Sequence, residues 1–142
     1  MKTAAAKIFA RYIVNKNKKW VNNPVSSQKQ TLKKLIASGS KTLFGKDHNF
    51  NRISDPMDFA KQVPVRDYEG LRSYIDRIVS GEEDVVWPGK PIYFSKTSGT
   101  TSGAKYIPIT KESMPTHINS ARDALLTYIN YTGKTDFIKG KQ

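Results

Sequence analysis

The stretch "YFSKTSGTTSGAKYIPIT", Tyr93–Thr110, decides how this chain is interpreted. Its middle, Thr97–Gly103, contains only Thr, Ser and Gly, and Lys105 follows two positions later. The apolar segments on either side, "IYF" and "KYIPI", have the residue types of short strands. A Gly/Ser-rich linker normally joins separate domains, whereas this stretch connects two neighbouring strands. The sequence therefore predicts a tight strand–loop–strand unit.

Three kinds of site are considered for this loop: a Walker A loop, a β-lactamase-like serine site and a phosphate-binding loop of another type. Glycines let the backbone approach an anion, hydroxyls add donors and a lysine adds charge, which together favour phosphate binding. A Walker A loop does not match, because three residues separate Gly99 from Gly103 and Tyr106 follows Lys105 where Ser or Thr is required. A β-lactamase-like serine site has in its favour "KTSG" at Lys96–Gly99 and the S-x-x-K patterns at Ser26–Lys29 and Ser38–Lys41, but its S-D-N element is absent and such short patterns arise often by chance.

The segments before the loop predict helices. Residues 3–14 carry an apolar stripe of Ile8, Phe9, Tyr12 and Ile13. A second helix is predicted to open with an S-x-x-Q capping box at Ser27 and to end at Gly39.

Two capped short helices and a final long helix complete the predicted elements. Ser54 and Asp55 are expected to cap a short helix that starts at Pro56. Asp67 is expected to cap a helix whose apolar residues Leu71, Tyr74, Ile75 and Ile78 lie on one face. After the loop, Thr110 is expected to cap a helix through about Tyr131, with Ile118, Ala121, Leu125 and Ile129 on one side.

The positive charge is concentrated at one end of the chain. Residues 1–46 contain ten lysines, Arg11 and no acidic residue, whereas the remaining 96 residues contain 13 basic and 12 acidic groups. A basic helical arm of this kind is able to contact a polyanion, yet it shows no base-reading motif. A non-catalytic basic module for nucleic acid or another polyanion is therefore the alternative function, and we do not expect nucleic acid as a partner.

Several features indicate a cytoplasmic protein without a membrane partner. The chain has no cysteine and no apolar run of the length that spans a bilayer.

His48 and His117 are far apart and lack the spacing of metal ligands, so we expect no metal site formed by this chain.

The loop and its flanks resemble a known family. "KTSGTTSGAK" is similar to the first ATP motif of the luciferase-like adenylate-forming superfamily, T-S-G-T-T-G-x-P-K, except that Ser102 precedes Gly103 and Ala104 replaces Pro. With "YIP" after Lys105, the variant resembles the bacterial branch of the auxin-responsive Gretchen-Hagen-type acyl-acid–amido synthetases. "TLFGKDHNF", "DFAKQVPVRDYEGLRSYIDRI" and "GEEDVVWPGKPIYF" resemble that family's N-terminal region in order and spacing. The resemblance extends from about Gln28 to Asn130.

This resemblance implies an activity, cofactors and site residues. Enzymes of the family activate a carboxylic acid with ATP and Mg²⁺ to an acyl-adenylate, which an amine, commonly of an amino acid, then attacks. The resemblance assigns phosphate binding to Ser98, Gly99, Thr100, Thr101, Ser102, Gly103 and Lys105. It assigns no catalytic residue and no metal ligand to this chain.

The same resemblance implies a domain organisation. We expect a mixed α/β chain in which a helix-rich N-terminal part is followed by the strand–loop–strand unit and a long helix. Residues 1–142 would form a partial N-terminal ATP-binding domain of the adenylate-forming fold. Within it, residues 1–46 would be the basic helical arm and residues 47–142 the start of the core. The family's enzymes are several times longer, so we expect a fragment that is inactive alone.

Overall fold

A computed structural model describes residues 2–98 and 103–136 of the chain. Within these residues the α-helices are α1 (Lys2–Val21), α2 (Pro24–Gly39), α3 (Leu43–Asp47), α4 (Pro56–Gln62), α5 (Tyr68–Val79) and α6 (Met114–Thr132). The strands are β1 (Tyr93–Lys96) and β2 (Tyr106–Ile109), and a 3₁₀ turn spans Phe50–Arg52. The predicted mixed, helix-rich architecture, with a strand–loop–strand unit before a long helix, is confirmed.

The chain divides into two compact units. One is Ser27–Ser113, and the other combines Met1–Ser26 with Met114–Gln142. The first contains both strands and the loop between them, so we call it the loop unit. The second contains α1 and α6, so we call it the two-helix unit.

In the two-helix unit, α1 and α6 pack together over a small core. The buried residues are Ala10, Ile13, Leu126 and Ile129. Within the predicted stripe of α1 only Ile13 is buried, while Ile8 is 73% exposed. On α6, of the four residues expected on one side of the helix, only Ile129 is buried; Leu126 packs beside it in the core, while Leu125 is 54% exposed.

The lengths of the first two helices also differ from the prediction. Helix α1 continues to Val21, because the polar residues after position 14 are compatible with a helix and the first break is at Asn22–Pro24. Helix α2 begins at Pro24, a residue that helices tolerate in their first turn. Ser27 therefore lies inside the helix, where its carbonyl accepts a hydrogen bond from the Thr31 hydroxyl at 2.9 Å, and the predicted capping box is wrong. The predicted end at Gly39 is confirmed.

The core of the loop unit forms around α5. Its buried residues are Tyr74, Ile75, Ile78 and Val85, which confirms the predicted apolar face of this helix. Val85 is only 1% exposed, since the turn that carries it bonds to the start of α3. There the Phe44 N–H donates to the Val85 carbonyl at 2.8 Å.

The segment "TLFGKDHNF" contains α3 and ends at Phe50, where the 3₁₀ turn begins. Its aromatic residues pack together: the Phe44 ring stacks on His48 with 4.0 Å between ring centroids and meets Tyr74 edge-on at 5.2 Å. His48 Nδ1 lies 2.8 Å from the Phe44 carbonyl oxygen. This histidine is therefore part of the packing.

None of the helices in residues 2–98 and 103–136 has both the length and the apolar character needed to cross a bilayer.

Candidate phosphate-binding site

The strands on either side of the Thr/Ser/Gly stretch form an antiparallel hairpin. Tyr93 lies opposite Ile109, and Lys96 lies opposite Tyr106. Beyond the strands, the Thr97 N–H donates to the Lys105 carbonyl at 3.0 Å, and the Lys105 N–H donates to the Thr97 hydroxyl at 3.3 Å. This pair closes the base of the connection between the two strands.

The sequence-predicted site residues fall on both sides of this base. Ser98 and Gly103 are exposed, and Lys105 is half-buried. Gly103 has φ of +81°, in the left-handed region that favours glycine, and a side chain there would meet no atom within 4 Å. Backbone conformation therefore explains the glycine. The assignments to Gly99, Thr100, Thr101 and Ser102 lie outside the described residues.

Helix α5 anchors the strand that leaves the loop. The Tyr106 N–H donates to the Tyr68 hydroxyl oxygen at 2.9 Å. The Lys105 ammonium lies 5.4 Å from the centroid of the Tyr68 ring, which is a cation–π distance. Tyr68 is the first residue of α5, and Asp67 caps that helix by accepting the Gly70 N–H at 2.9 Å. The predicted role of Asp67 as an N-cap is confirmed.

A second lysine lies over an aromatic ring on the entry side of the loop. The Lys96 ammonium is 5.8 Å from the centroid of the Tyr106 ring, and Phe94 meets that ring edge-on at 6.2 Å. Tyr106 is partly buried and packs against the core of the loop unit. A lysine on each side of the loop, Lys96 and Lys105, thus lies over a tyrosine ring next to the base of the loop.

Sequence reasoning did not single out Thr97, Tyr68 or Tyr106. Thr97 is part of the quoted stretch, and a tight hairpin would place it opposite Lys105. The start of α5 follows from the Asp67 cap, but no local pattern links Tyr68 to a strand 38 residues later. The residues that support the base of the loop could therefore be found only in part from sequence.

The chemistry of this base suits an anion. The described groups in contact with one another there are ammonium groups, a hydroxyl, backbone N–H groups and tyrosine rings, with no carboxylate among these contacts. Donors and positive charge next to a glycine with a left-handed backbone are the features of phosphate-binding loops. Such a set does not offer the oxygen ligands that Mg²⁺ prefers.

Comparison with known families gives a match over most of the chain. Residues 14–141 match the GH3 family N-terminal domain.

The matched relatives are plant conjugating enzymes. A jasmonoyl–L-amino acid synthetase from Nicotiana attenuata is 36% identical over 89 residues, which are 61% of this chain and 15% of that protein. An indole-3-acetic acid-amido synthetase from Arabidopsis thaliana is 41% identical over 85 residues, 58% of this chain and 14% of that protein. A 4-substituted benzoates-glutamate ligase from the same plant is 33% identical over 85 residues, 59% of this chain and 15% of that protein. The matched part of the chain thus spans only about a seventh of the length of these relatives.

Proposed function

Because the chain belongs to the GH3 family, we propose that it contributes the ATP phosphate loop of a ligase that joins a carboxylic acid to an amine. The observation that carries the proposal is the closed base of the loop, where Thr97 and Lys105 bond to each other at the ends of a hairpin. Two of the relatives are named for joining an acid to an amino acid or to glutamate, and the third is named an acid-amido synthetase. An acid substrate and an amine acceptor, such as that of an amino acid, follow for this protein by analogy.

The proposed reaction begins with adenylation of the acid. Negative charge on the α-phosphate and on the departing pyrophosphate then needs donors that are already in position. In our proposal the hydroxyls of residues 98 and 100–102 and the backbone at Gly99 and Gly103 supply these donors. Lys105 faces the β- and γ-phosphates.

Mg²⁺ would reach the site with ATP. The described groups at the base of the loop fit the polyphosphate and do not fit the metal, because lysine ammonium groups and N–H donors cannot ligate a cation. We therefore assign no metal ligand and no step through the metal to this chain.

The proposal extends to the fold and the domain organisation. Residues 1–142 would be a partial N-terminal ATP-binding domain of the luciferase-like adenylate-forming fold, of the bacterial branch, with residues 1–46 as a basic arm and 47–142 as the start of the core. The small share of each relative's length that the chain matches supports this view. On this proposal the 142 residues bind nucleotide but do not complete the reaction.

The test combines binding with catalysis. We expect the 142-residue chain to bind ATP and pyrophosphate, measured by calorimetry, without acid-dependent ATP–pyrophosphate exchange. A longer protein that contains this chain should catalyse the exchange when a carboxylic acid is added. If the chain binds neither ligand while it is folded, as judged by circular dichroism, the loop is not a phosphate site.

A second candidate function rests on a groove of the two-helix unit. Lys7, Arg11 and Lys18 on α1 line it, together with Asn15 and Asn130, and no acidic side chain is among its lining residues. This composition favours contact with a polyanion. If that contact is the function, replacing the three cations with Gln should abolish binding of a DNA oligonucleotide, used as a long polyanion, while ATP binding at the loop persists. Deleting α1 would be a poor test, because Ala10 and Ile13 belong to the core.

A further inference from the structure

We infer that Tyr68 is a positioning residue of the phosphate loop, acting through Lys105 and Tyr106 at the loop's exit. The inference rests on the proposed function and goes beyond it, since Tyr68 lies outside the loop and outside the motif that identifies it. It stands on two contacts made by different parts of one side chain.

The first contact fixes the backbone. The Tyr68 hydroxyl oxygen accepts the Tyr106 N–H at 2.9 Å in a partly buried position. Thr97 and Lys105 form a hydrogen-bonded pair, so the next residue, Tyr106, directs its N–H away from β1. Without Tyr68 this N–H would have no partner in the hairpin. The bond therefore attaches the strand immediately after Lys105 to the first turn of α5.

The second contact holds the charge. The Lys105 ammonium lies 5.4 Å from the Tyr68 ring centroid. A free lysine side chain samples many rotamers, and ordering it on binding has an entropic cost. An aromatic face that restrains the ammonium near the loop lowers that cost while leaving the charge available.

Tyr68 itself is held firmly enough to serve this purpose. It is the first residue of a capped helix, and its ring packs against the buried cluster of Tyr74, Ile75, Ile78 and Val85. Through its two contacts, Tyr68 therefore connects Lys105 and Tyr106 to the buried core of the loop unit.

The experiment compares Tyr68→Phe, which keeps the ring, with Tyr68→Leu, which removes both contacts. Pyrophosphate and ATP affinities of the full chain are measured by calorimetry, and exchange of the Tyr106 amide hydrogen by NMR. We expect faster Tyr106 exchange in both variants. The loss of affinity should be about threefold for Tyr68→Phe and about tenfold for Tyr68→Leu, on the scale of one hydrogen bond and one cation–π contact. Tyr131→Leu, at an exposed tyrosine of the other unit, is the matched control and should change neither quantity.

A double-mutant cycle separates positioning from mere support of the fold. In a Lys105→Met background, the part of the Tyr68→Leu effect that exceeds the Tyr68→Phe effect should disappear, because no ammonium remains for the ring to hold. A purely structural role would leave that difference unchanged and would overturn the inference. Equal affinities of wild type and both Tyr68 variants would overturn it as well, with the proposed function intact. If wild type itself binds neither ligand, the proposed function fails and the inference fails with it.

Discussion

The Thr42 hydroxyl accepts the Gly45 N–H at 3.0 Å and donates to the Gly39 carbonyl at 2.7 Å. One fully buried side chain thus links the end of α2 to the first turn of α3. The same turn of α3 bonds to the segment that carries Val85. The loop unit therefore depends on a compact set of contacts far from the loop in sequence.

Replacing Thr42 with Val should destabilise the chain by about 2 kcal/mol, since the Gly45 N–H would be left without its partner in a buried place. Urea unfolding followed by circular dichroism measures the loss. Thr42→Ser keeps the hydroxyl and should cost clearly less. Equal unfolding midpoints for the Val and Ser variants would show that the hydroxyl does not matter.

Gly45→Ala should be among the most damaging single-methyl additions in the described part of the chain. The new Cβ would lie 2.0 Å from the Gly39 carbonyl oxygen, and because this is a backbone atom, the clash cannot be relieved by a side-chain rotation. We expect a loss of about 3 kcal/mol or more, at the upper end for overpacking. Gly70→Ala is the matched control, because its nearest neighbours belong to the exposed Arg66 side chain. A Gly45→Ala variant as stable as wild type would contradict the geometry of this helix junction.

Asp67→Ala should cost about 1 kcal/mol, as expected for removal of an N-cap. The carboxylate accepts the Gly70 N–H at 2.9 Å, and Tyr68 lies in the turn that this bond orders. Thermal unfolding measures the change. Asp67→Asn retains a capping oxygen and should restore most of the stability, so an equally unstable Asn variant would argue for a charge effect in place of capping.

The two-helix unit should lose stability in acid through Asp123. Hydrogen bonds from Arg122, and then from Asn17, hold the pKa of this carboxyl below its usual value. A lowered pKa in the folded state means that the contribution is present above about pH 4, the ordinary Asp value, and is lost as the pH falls through the folded pKa.

Melting temperatures measured between pH 2 and pH 6 test this. Asp123→Asn should reduce the acid sensitivity, because the variant has no proton to take up at this position. Other carboxyls with lowered pKa, including Asp58 and Glu82, keep their effect in both proteins, so the difference between the curves isolates Asp123. Parallel curves would rule out its contribution.

In a longer protein that carries the complete reaction, Lys105→Ala and Thr100→Val should each slow acid-dependent ATP–pyrophosphate exchange. Loss of one preorganised donor or charge typically raises the barrier by about 3 kcal/mol. Lys90→Ala is the control, since Lys90 forms an exposed ion pair with Glu83. Unchanged exchange in both loop variants, with the protein folded, would remove the loop from the reaction.

Local features of the fold were predictable from sequence. Asp55 and Asp67 cap helices as expected because a cap needs only a side-chain oxygen three residues before an N–H. The buried face of α5 followed from apolar residues at helical spacing. These signals lie within one or two turns and need no knowledge of the rest of the molecule.

Features that depend on distant partners were not predictable. On α1 the small residue Ala10 is fully buried while the larger Ile8 is exposed. The reason is that the close packing of α1 against α6 determines which residues of α1 are buried. In the candidate site, the sequence order already shows that Lys105 follows the loop. Its pairing with Thr97 follows from the predicted hairpin, because the two residues lie at the inner ends of the strands. The contact with Tyr68 joins separate elements, so no periodicity indicates it. Roles for Gly99, Thr100, Thr101 and Ser102 stay predictions.

The direction of the N–H groups in β2 determines at which edge of the hairpin a third strand is able to pair. On the outer edge of β2, the N–H of Tyr106 is already bonded to Tyr68, and Pro108 has no N–H to offer. That edge therefore presents no free donor to an incoming strand, and it is protected against edge-to-edge aggregation. On the outer edge of β1, neither Phe94 nor Lys96 is a proline, and within the described part of the chain neither N–H has a hydrogen-bond partner. Any third strand, from the same polypeptide or from another, should therefore join the sheet beside β1.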